Sequence, residues 1–305
     1  MRGLVIKFTG SSYIVRMDDG MNVECHIKGN FRIRGIRSTN PVAVGDLVSV
    51  QTLANGTNWI TEIEDRRNYI IRRSTNLSKE SHILAANIDQ AALVATINHP
   101  VTSTTFIDRF LATCEAYRVR AILIFNKIDL LRPDELEQLA ALRALYESIG
   151  YETLAISAKN GEIADVRERL ENKITLFSGN SGVGKSTLLN ALFGREMTRT
   201  GKISDAHDKG MHTTTFSEMY FLDNGAIIDT PGIKGFGTFD FARDEVSHYF
   251  REIFKVSSNC RFGNCSHTNE PGCAVVEAVT HGEIAMSRFE SYLSLLGDCD
   301  ESKYR

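Results

Sequence analysis

Gly179-Asn180-Ser181-Gly182-Val183-Gly184-Lys185-Ser186 lies between an apolar run, residues 174–177, that reads as a strand and a segment, 186–193, that reads as a helix. A strand, a glycine-rich turn and a helix in that order make a cradle for phosphate. The glycines let backbone N–H groups turn inward, and the helix N-terminus adds the positive end of its dipole. Lys185 is placed to reach the β- and γ-phosphates of a nucleotide, and the Ser186 hydroxyl to ligate Mg²⁺. These eight residues, with Thr187 in the first helical turn, are the candidate phosphate-binding set.

Outward from this loop, strand and helix patterns alternate from about residue 74 to 239. Strands are expected at 90–97, 121–125 and 154–156, and helices at 106–117 and 163–170. Another helix opens at Pro133 and is closed by Gly150. Downstream, 216–222 and 226–228 read as a hairpin across Asp223-Asn224-Gly225. The pattern predicts a doubly wound α/β domain, in which ligands sit at the carboxyl ends of the strands. Two further motifs fall at such ends. Asn126-Lys127-Ile128-Asp129 follows the strand 121–125, where a carboxylate can accept from both N1–H and the exocyclic amine of guanine. Asn126 can bond the opposite edge of the base, and the Lys127 stem can cover its face. Ser157-Ala158-Lys159 ends the next strand, where a backbone N–H can donate to the guanine O6.

Asp229-Thr230-Pro231-Gly232 follows the second strand of the hairpin. Asp229 can hold Mg²⁺ through water, and the Gly232 N–H can meet a γ-phosphate. Upstream stand His212-Thr213-Thr214-Thr215; one of Thr213, Thr214 and Thr215 would complete the Mg²⁺ shell. Segments of this kind order around a γ-phosphate and act as switches. Ile233 occupies the position where a water-orienting Gln often follows the glycine. An apolar side chain cannot position water, so slow intrinsic hydrolysis is expected, with His212 the candidate catalytic residue. The guanine motifs precede the phosphate loop, the reverse of the usual order, so the domain is expected to be circularly permuted. A site built from strand ends survives such a rearrangement.

The flanks differ from this centre. The first 65 residues carry short strands at 4–9, 13–17, 22–27, 46–51 and 59–63, which suits a small barrel of the oligonucleotide-binding or SH3-like type. Lys28, Phe31, Arg32, Arg34 and Arg37 crowd the loop after the third strand, and the block up to Arg73 has 11 Lys and Arg against 7 Asp and Glu. Such a loop suits RNA phosphates, with Phe31 stacking on a base; each residue alone is also an ordinary surface feature. Residues 66–73 read as a charged linker. From 240 to 305 the pattern is helical, at 241–254, 274–280 and 283–296. Cys260, Cys265, His267 and Cys273 interrupt it as a complete tetrahedral donor set, suited to one structural Zn²⁺ with no open position. At 42% hydrophobic and 24% charged residues the chain can bury real cores. No apolar run approaches the roughly 18 residues of a membrane span, and the amino-terminal sequence has no secretory pattern. A cytoplasmic protein is expected.

With its motif order and metal cluster together, the chain resembles the circularly permuted GTPases of bacterial small-ribosomal-subunit biogenesis, the RsgA/YjeQ type. The matching stretches are NKID at 126–129, SAK at 157–159, GNSGVGKS at 179–186, HTTT at 212–215, DTPG at 229–232 and the cysteine cluster. The resemblance implies an OB-fold RNA-binding domain over 1–65, a permuted GTPase domain over 74–239 and a zinc-binding domain over 240–305. It also implies GTP and GDP as ligands and His212 as the catalytic residue. The implied partner is the small ribosomal subunit with its rRNA, which would stimulate hydrolysis and be released afterwards, with the protein acting as a monomer. The rivals are a translation-factor-like GTPase on mature ribosomes and an RNA-binding module with a non-turning-over GTP site.

Overall fold

The computed structural model describes residues 1–27, 41–73, 81–196, 217–230 and 241–301. Short runs of alternating apolar residues at the amino terminus form β1 (Arg2–Phe8), β2 (Tyr13–Met17), β3 (Asn22–Ile27), β4 (Leu47–Thr52) and β5 (Asn58–Ile63). They pair in the order β1-β2-β3-β5-β4, and β4 returns to β1, closing a barrel around Val5, Val15, Cys25, Val48 and Ile60. β3 and β5 run parallel. A simple meander pairs every neighbour antiparallel, so this one parallel contact selects the Greek-key barrel of the OB type.

Residues 66–73, expected as a linker, are instead built into the fold. Tyr69–Arg73 is β6, paired antiparallel with β7 (Ser81–Ala86), and Ile70 is completely buried in the core of the following domain. Its flanking arginines mask this short apolar stretch in the sequence. Arg66 is also buried: its guanidinium grips Asp46 at 2.7 and 2.6 Å and donates to the Pro41 carbonyl at 2.7 Å, clamping the barrel.

The second domain follows as β8 (Gln90–Ala95), α1 (Thr104–Ala116), β9 (Arg120–Phe125), α2 (Pro133–Ser148), β10 (Glu152–Ala155), α3 (Ala164–Leu170), β11 (Ile174–Gly179), α4 (Lys185–Phe193), β12 (Glu218–Leu222) and β13 (Gly225–Asp229). The sheet order is β10-β9-β8-β11-β13-β12, parallel except for the antiparallel β12. Successive side chains alternate between its faces. Ala91, Leu93, Leu123, Phe125 and Ile228 pack with α1 and α2, whereas Ala92, Val94, Ile122, Phe177 and Ile227 pack with α3 and α4. Sheet and barrel are continuous, because β12 pairs with β1 through Lys7 opposite Glu218.

The carboxy-terminal segment contains α5 (Arg251–Ser257), α6 (Ala274–Thr280) and α7 (Met286–Glu301). The single helix expected over 241–254 is broken into a 3-10 turn, Val246–Tyr249, and α5, because Phe250 between them is extended. Phe250 is fully buried, its ring edge-on to Tyr292 and beneath the Arg288 guanidinium. Arg288 fastens this domain to the second. It donates to Asp108 of α1 at 2.7 Å and to Glu252 at 2.6 and 3.1 Å, while Tyr146 donates to the same Asp108 oxygen at 2.8 Å.

Candidate active site and metal centre

β11 ends at Gly179 beside the ends of β8 and β13, and α4 starts at Lys185, so the eight-residue loop spans the middle of the sheet's carboxyl edge. Val183 is fully buried and anchors the loop on the α4 side of the core. Asn180, Ser181 and Gly182 remain accessible, and Ser186 and Thr187 are half-buried in the first turn of α4. Gly184 has φ +91°, and a Cβ there would lie 2.3 Å from Asn126 Nδ2. Only glycine accommodates both that conformation and that approach.

Asn126 is buried with both ends of its amide used. Nδ2 donates to the Val183 carbonyl at 3.0 Å, and Oδ1 accepts from the Ala158 N–H at 3.0 Å. The Asn126 amide and the Ala158 N–H thus bond each other, and Asn126 ties three loops together. Lys127 adopts φ +67°, and its ammonium donates to the His99 and Gly182 carbonyls, each at 2.6 Å. Burial lowers the Lys127 pKa, opposed by the Asp129 carboxylate. Ile128 packs against the core, leaving Asp129 exposed at the strand end, where Ser157 donates to its Oδ1 at 2.7 Å. Lys159 is exposed beside them.

Sequence reasoning passed over the loop after β8. Gly182 faces Pro100, and His99 supplies one of the two carbonyls that hold Lys127. Asn98 donates to Glu135 at the start of α2. Asn98-His99-Pro100 lies at the carboxyl end of a sheet strand, the one signal that would have drawn attention to it.

On the other side of the loop, Lys185 is ion-paired with the buried Asp229 and donates to the Thr230 carbonyl at 2.6 Å. Thr230 Oγ1 donates to the Phe177 carbonyl at 2.9 Å, locking the end of β13 to β11. Burial raises the Asp229 carboxyl pKa; Lys185 opposes this and the neighbouring Glu218 adds to it. The Asp229 carboxylate and the Ser186 hydroxyl are hard oxygen donors, chemistry that fits Mg²⁺. His212, Thr213, Thr214, Thr215 and Gly232 lie outside the described residues, as do Lys28, Phe31, Arg32, Arg34 and Arg37.

The donor atoms of Cys260, Cys265, His267 and Cys273 all lie within 4.8 Å of one another. His267 Nδ1 is 3.6 Å from the sulfurs of Cys260 and Cys273, which are 4.0 Å apart. Tetrahedral ligation at about 2.3 Å for sulfur and about 2.0 Å for nitrogen spaces such donors by about 3.5–3.8 Å. The residues thus fit a metal, with Nδ1 as the histidine ligand. Glu270 organises the loop, accepting from the backbone N–H groups of Ser266, Thr268 and Asn269. Burial alone would raise its carboxyl, but the Ser266 hydroxyl and the backbone N–H groups of Ser266, Glu270 and Thr268 hold its pKa at about 2. Tyr292 of α7 donates to the Ser266 carbonyl at 2.8 Å, joining the cluster to the domain core. No helix among the described residues is long and apolar enough to cross a membrane.

Similarity to known proteins extends over the whole chain. Residues 63–239 match the RsgA GTPase family and residues 2–60 the RsgA N-terminal domain. The chain is 62% identical to the small ribosomal subunit biogenesis GTPase RsgA 2 of Bacteroides thetaiotaomicron, over 100% of this chain and 99% of that protein. It is 58% identical to the small ribosomal subunit biogenesis GTPase RsgA of Porphyromonas gingivalis, with the same coverage. Among solved structures, YjeQ from Thermotoga maritima superposes with a TM-score of 0.76 at 32% identity over 98% of both chains. YloQ, described as a circularly permuted GTPase, gives 0.73 at 30% identity over 100% of this chain and 96% of that one.

Proposed function

Because this chain belongs to the RsgA family of small ribosomal subunit biogenesis GTPases, we propose that it hydrolyses GTP as a late maturation factor of the small subunit and leaves after hydrolysis. The observation that carries the reading is the convergence of three loops: 179–186, 126–129 and 157–159 meet at the carboxyl edge of one sheet, joined by Asn126. In this reading the loop N–H groups and the start of α4 cradle the β-phosphate. Lys185 exchanges its bond to Asp229 for phosphate oxygens. Asp129, oriented by Ser157, accepts from the guanine N1–H and amine, and the Lys127 stem, fixed at its tip by two carbonyls, covers the ring.

Ser186, Asp229 and one of Thr213, Thr214 and Thr215 would hold Mg²⁺. When bound there, the ion neutralises charge on the β- and γ-phosphate oxygens. His212 orients the attacking water, a task Ile233 cannot perform, and Gly232 donates to the γ-phosphate. Cys260, Cys265, His267 and Cys273 hold zinc, since three thiolates and an imidazole favour Zn²⁺ over harder ions. Its role is structural, because four protein ligands leave no open position.

The basic loop of the barrel, with Lys28, Phe31, Arg32, Arg34 and Arg37, takes rRNA, and the site of action is the cytoplasm. Permutation makes the segment after Asp229 lead straight into the carboxy-terminal domain. Phe241, at the far end of that segment, packs against both the GTPase core and the carboxy-terminal core. The test is GTP turnover with and without purified small subunits, with ATP as control. Stimulation specific to GTP, and stronger with immature than with mature subunits, is the expected result. GTP binding without any stimulation would refute the assignment.

A further inference from the structure

Pairing register brings three charged residues into one row across the junction of barrel and GTPase sheet. Lys7 of β1 stands opposite Glu218 of β12, and Glu218 stands opposite Asp229 of β13. Residues in register across a sheet project from the same face. That face is the α4 side: Phe177, the next partner in the row, packs there, and Tyr220 of β12 meets Phe193 of α4 on it. Lys7 Nζ lies 3.0 Å from Glu218, with the two side chains 43% and 27% exposed, and Tyr220 donates to Glu218 at 3.0 Å. At the far end Lys185 pairs with Asp229. The row therefore reads cation, anion, anion, cation, and its outer cation belongs to the barrel.

We propose that Lys7 is a positioning residue for the magnesium site, acting through Glu218. It neutralises Glu218, the carboxylate in register beside Asp229, and so sets the negative potential that Asp229 offers a cation. The inference rests on the reading of Asp229 as a Mg²⁺ ligand. Neighbouring strands are about 4.8 Å apart, so Lys7 acts from about 10 Å, close to the Debye length at 0.1 M salt. Its effect is therefore modest and dependent on ionic strength. An anion on the barrel that captured Lys7, such as an RNA phosphate, would unscreen Glu218 and be felt at the nucleotide.

The measurement is the release rate of a fluorescent GDP analogue from the full-length protein, titrated with Mg²⁺ at low salt. Lys7→Met leaves Glu218 unscreened and is expected to lower the half-saturating Mg²⁺ concentration by about two- to fourfold. Glu218→Gln leaves Lys7 unopposed and is expected to raise it by a similar factor, while the double variant returns close to the parent. All shifts should shrink near 1 M salt, where the Debye length falls to about 3 Å. If the pair merely held β1 to β12, both single variants would move the same way, and that result overturns the proposal, as does no shift in either. Asp229→Asn is the control. If it leaves the Mg²⁺ dependence intact, the magnesium reading itself fails; if it abolishes the dependence while the single variants behave alike, only the role of Lys7 fails.

Discussion

Replacing Arg288 with Met tests what holds the metal-bearing domain to the GTPase body. Arg288 is 1% exposed and Asp108 is completely buried. The guanidinium bonds Asp108 and both oxygens of Glu252 while covering the ring of Phe250. The Met side chain keeps much of the apolar stem but leaves Asp108 as a buried carboxylate with no charged partner, held by the hydroxyls of Tyr146 and Ser291. Breaking one side of a buried pair destabilises by about 3–5 kcal/mol, a large share of the roughly 5–15 kcal/mol that holds a typical domain. Chemical denaturation followed by circular dichroism, with hydrogen exchange along α7, reads this loss. Burial already raises the Asp108 carboxyl pKa, with Arg288 pulling it back; without Arg288 it rises further. A carboxyl whose folded pKa is raised favours folding at low pH, and that contribution disappears as pH rises through the folded value. The deficit of the variant should therefore be larger at pH 7.5 than at pH 5. Adding Asp108→Asn, which removes the uncompensated charge, should restore much of the loss. A deficit below about 1 kcal/mol, well under the range for a broken buried pair, with no pH dependence, would refute the reasoning.

Three further outcomes are expected. Gly184→Ala should weaken GTP binding at least about tenfold, equivalent to about 1.4 kcal/mol, since its Cβ would strike the Asn126 amide at a backbone conformation unsuited to alanine; equilibrium nucleotide titration measures it. Chelating the metal should expose the amides of α6 and α7 to exchange before those of the central sheet, because the Cys3His loop is joined to the helical core through Tyr292. Equal loss throughout the chain would contradict a local structural role. His212→Ala should lower subunit-stimulated GTP turnover by about 100-fold, within the range for a positioned proton-transfer or water-orienting group, while GTP affinity stays within a factor of two or so. Unchanged turnover would remove His212 from the mechanism.

Much of the fold was legible because its signals are local. Gly179 to Ser186 announce a strand–loop–helix turn, and Asp223-Asn224-Gly225 mark the hairpin that forms between β12 and β13. The amino-terminal strands lie within a residue or two of where apolar alternation puts them, because that alternation marks them directly. β6 is hidden in the sequence, since only three apolar residues, Tyr69, Ile70 and Ile71, stand between arginines, and nothing nearby tells that Ile70 is buried in the next domain. The helical pattern over 241–254 hides the break at Phe250, which answers to Tyr292 and Arg288 some forty residues away.

The chemistry of the donors and their chain order belong to the sequence by itself: which residues can cradle phosphate, accept from guanine or ligate a metal, and that the guanine motifs come first. Partnership belongs to the tertiary structure. That Asn126 joins the Val183 carbonyl to the Ala158 N–H is decided only by the fold, and Arg66 looks like a linker charge until it closes on Asp46. The OB topology was decided by the parallel contact of β3 with β5, and the row Lys7–Glu218–Asp229 by strand register. The physical reason is common to all of these. Hydrogen bonds and ion pairs act over a few ångströms, and only folding brings groups separated by tens or hundreds of residues within that range.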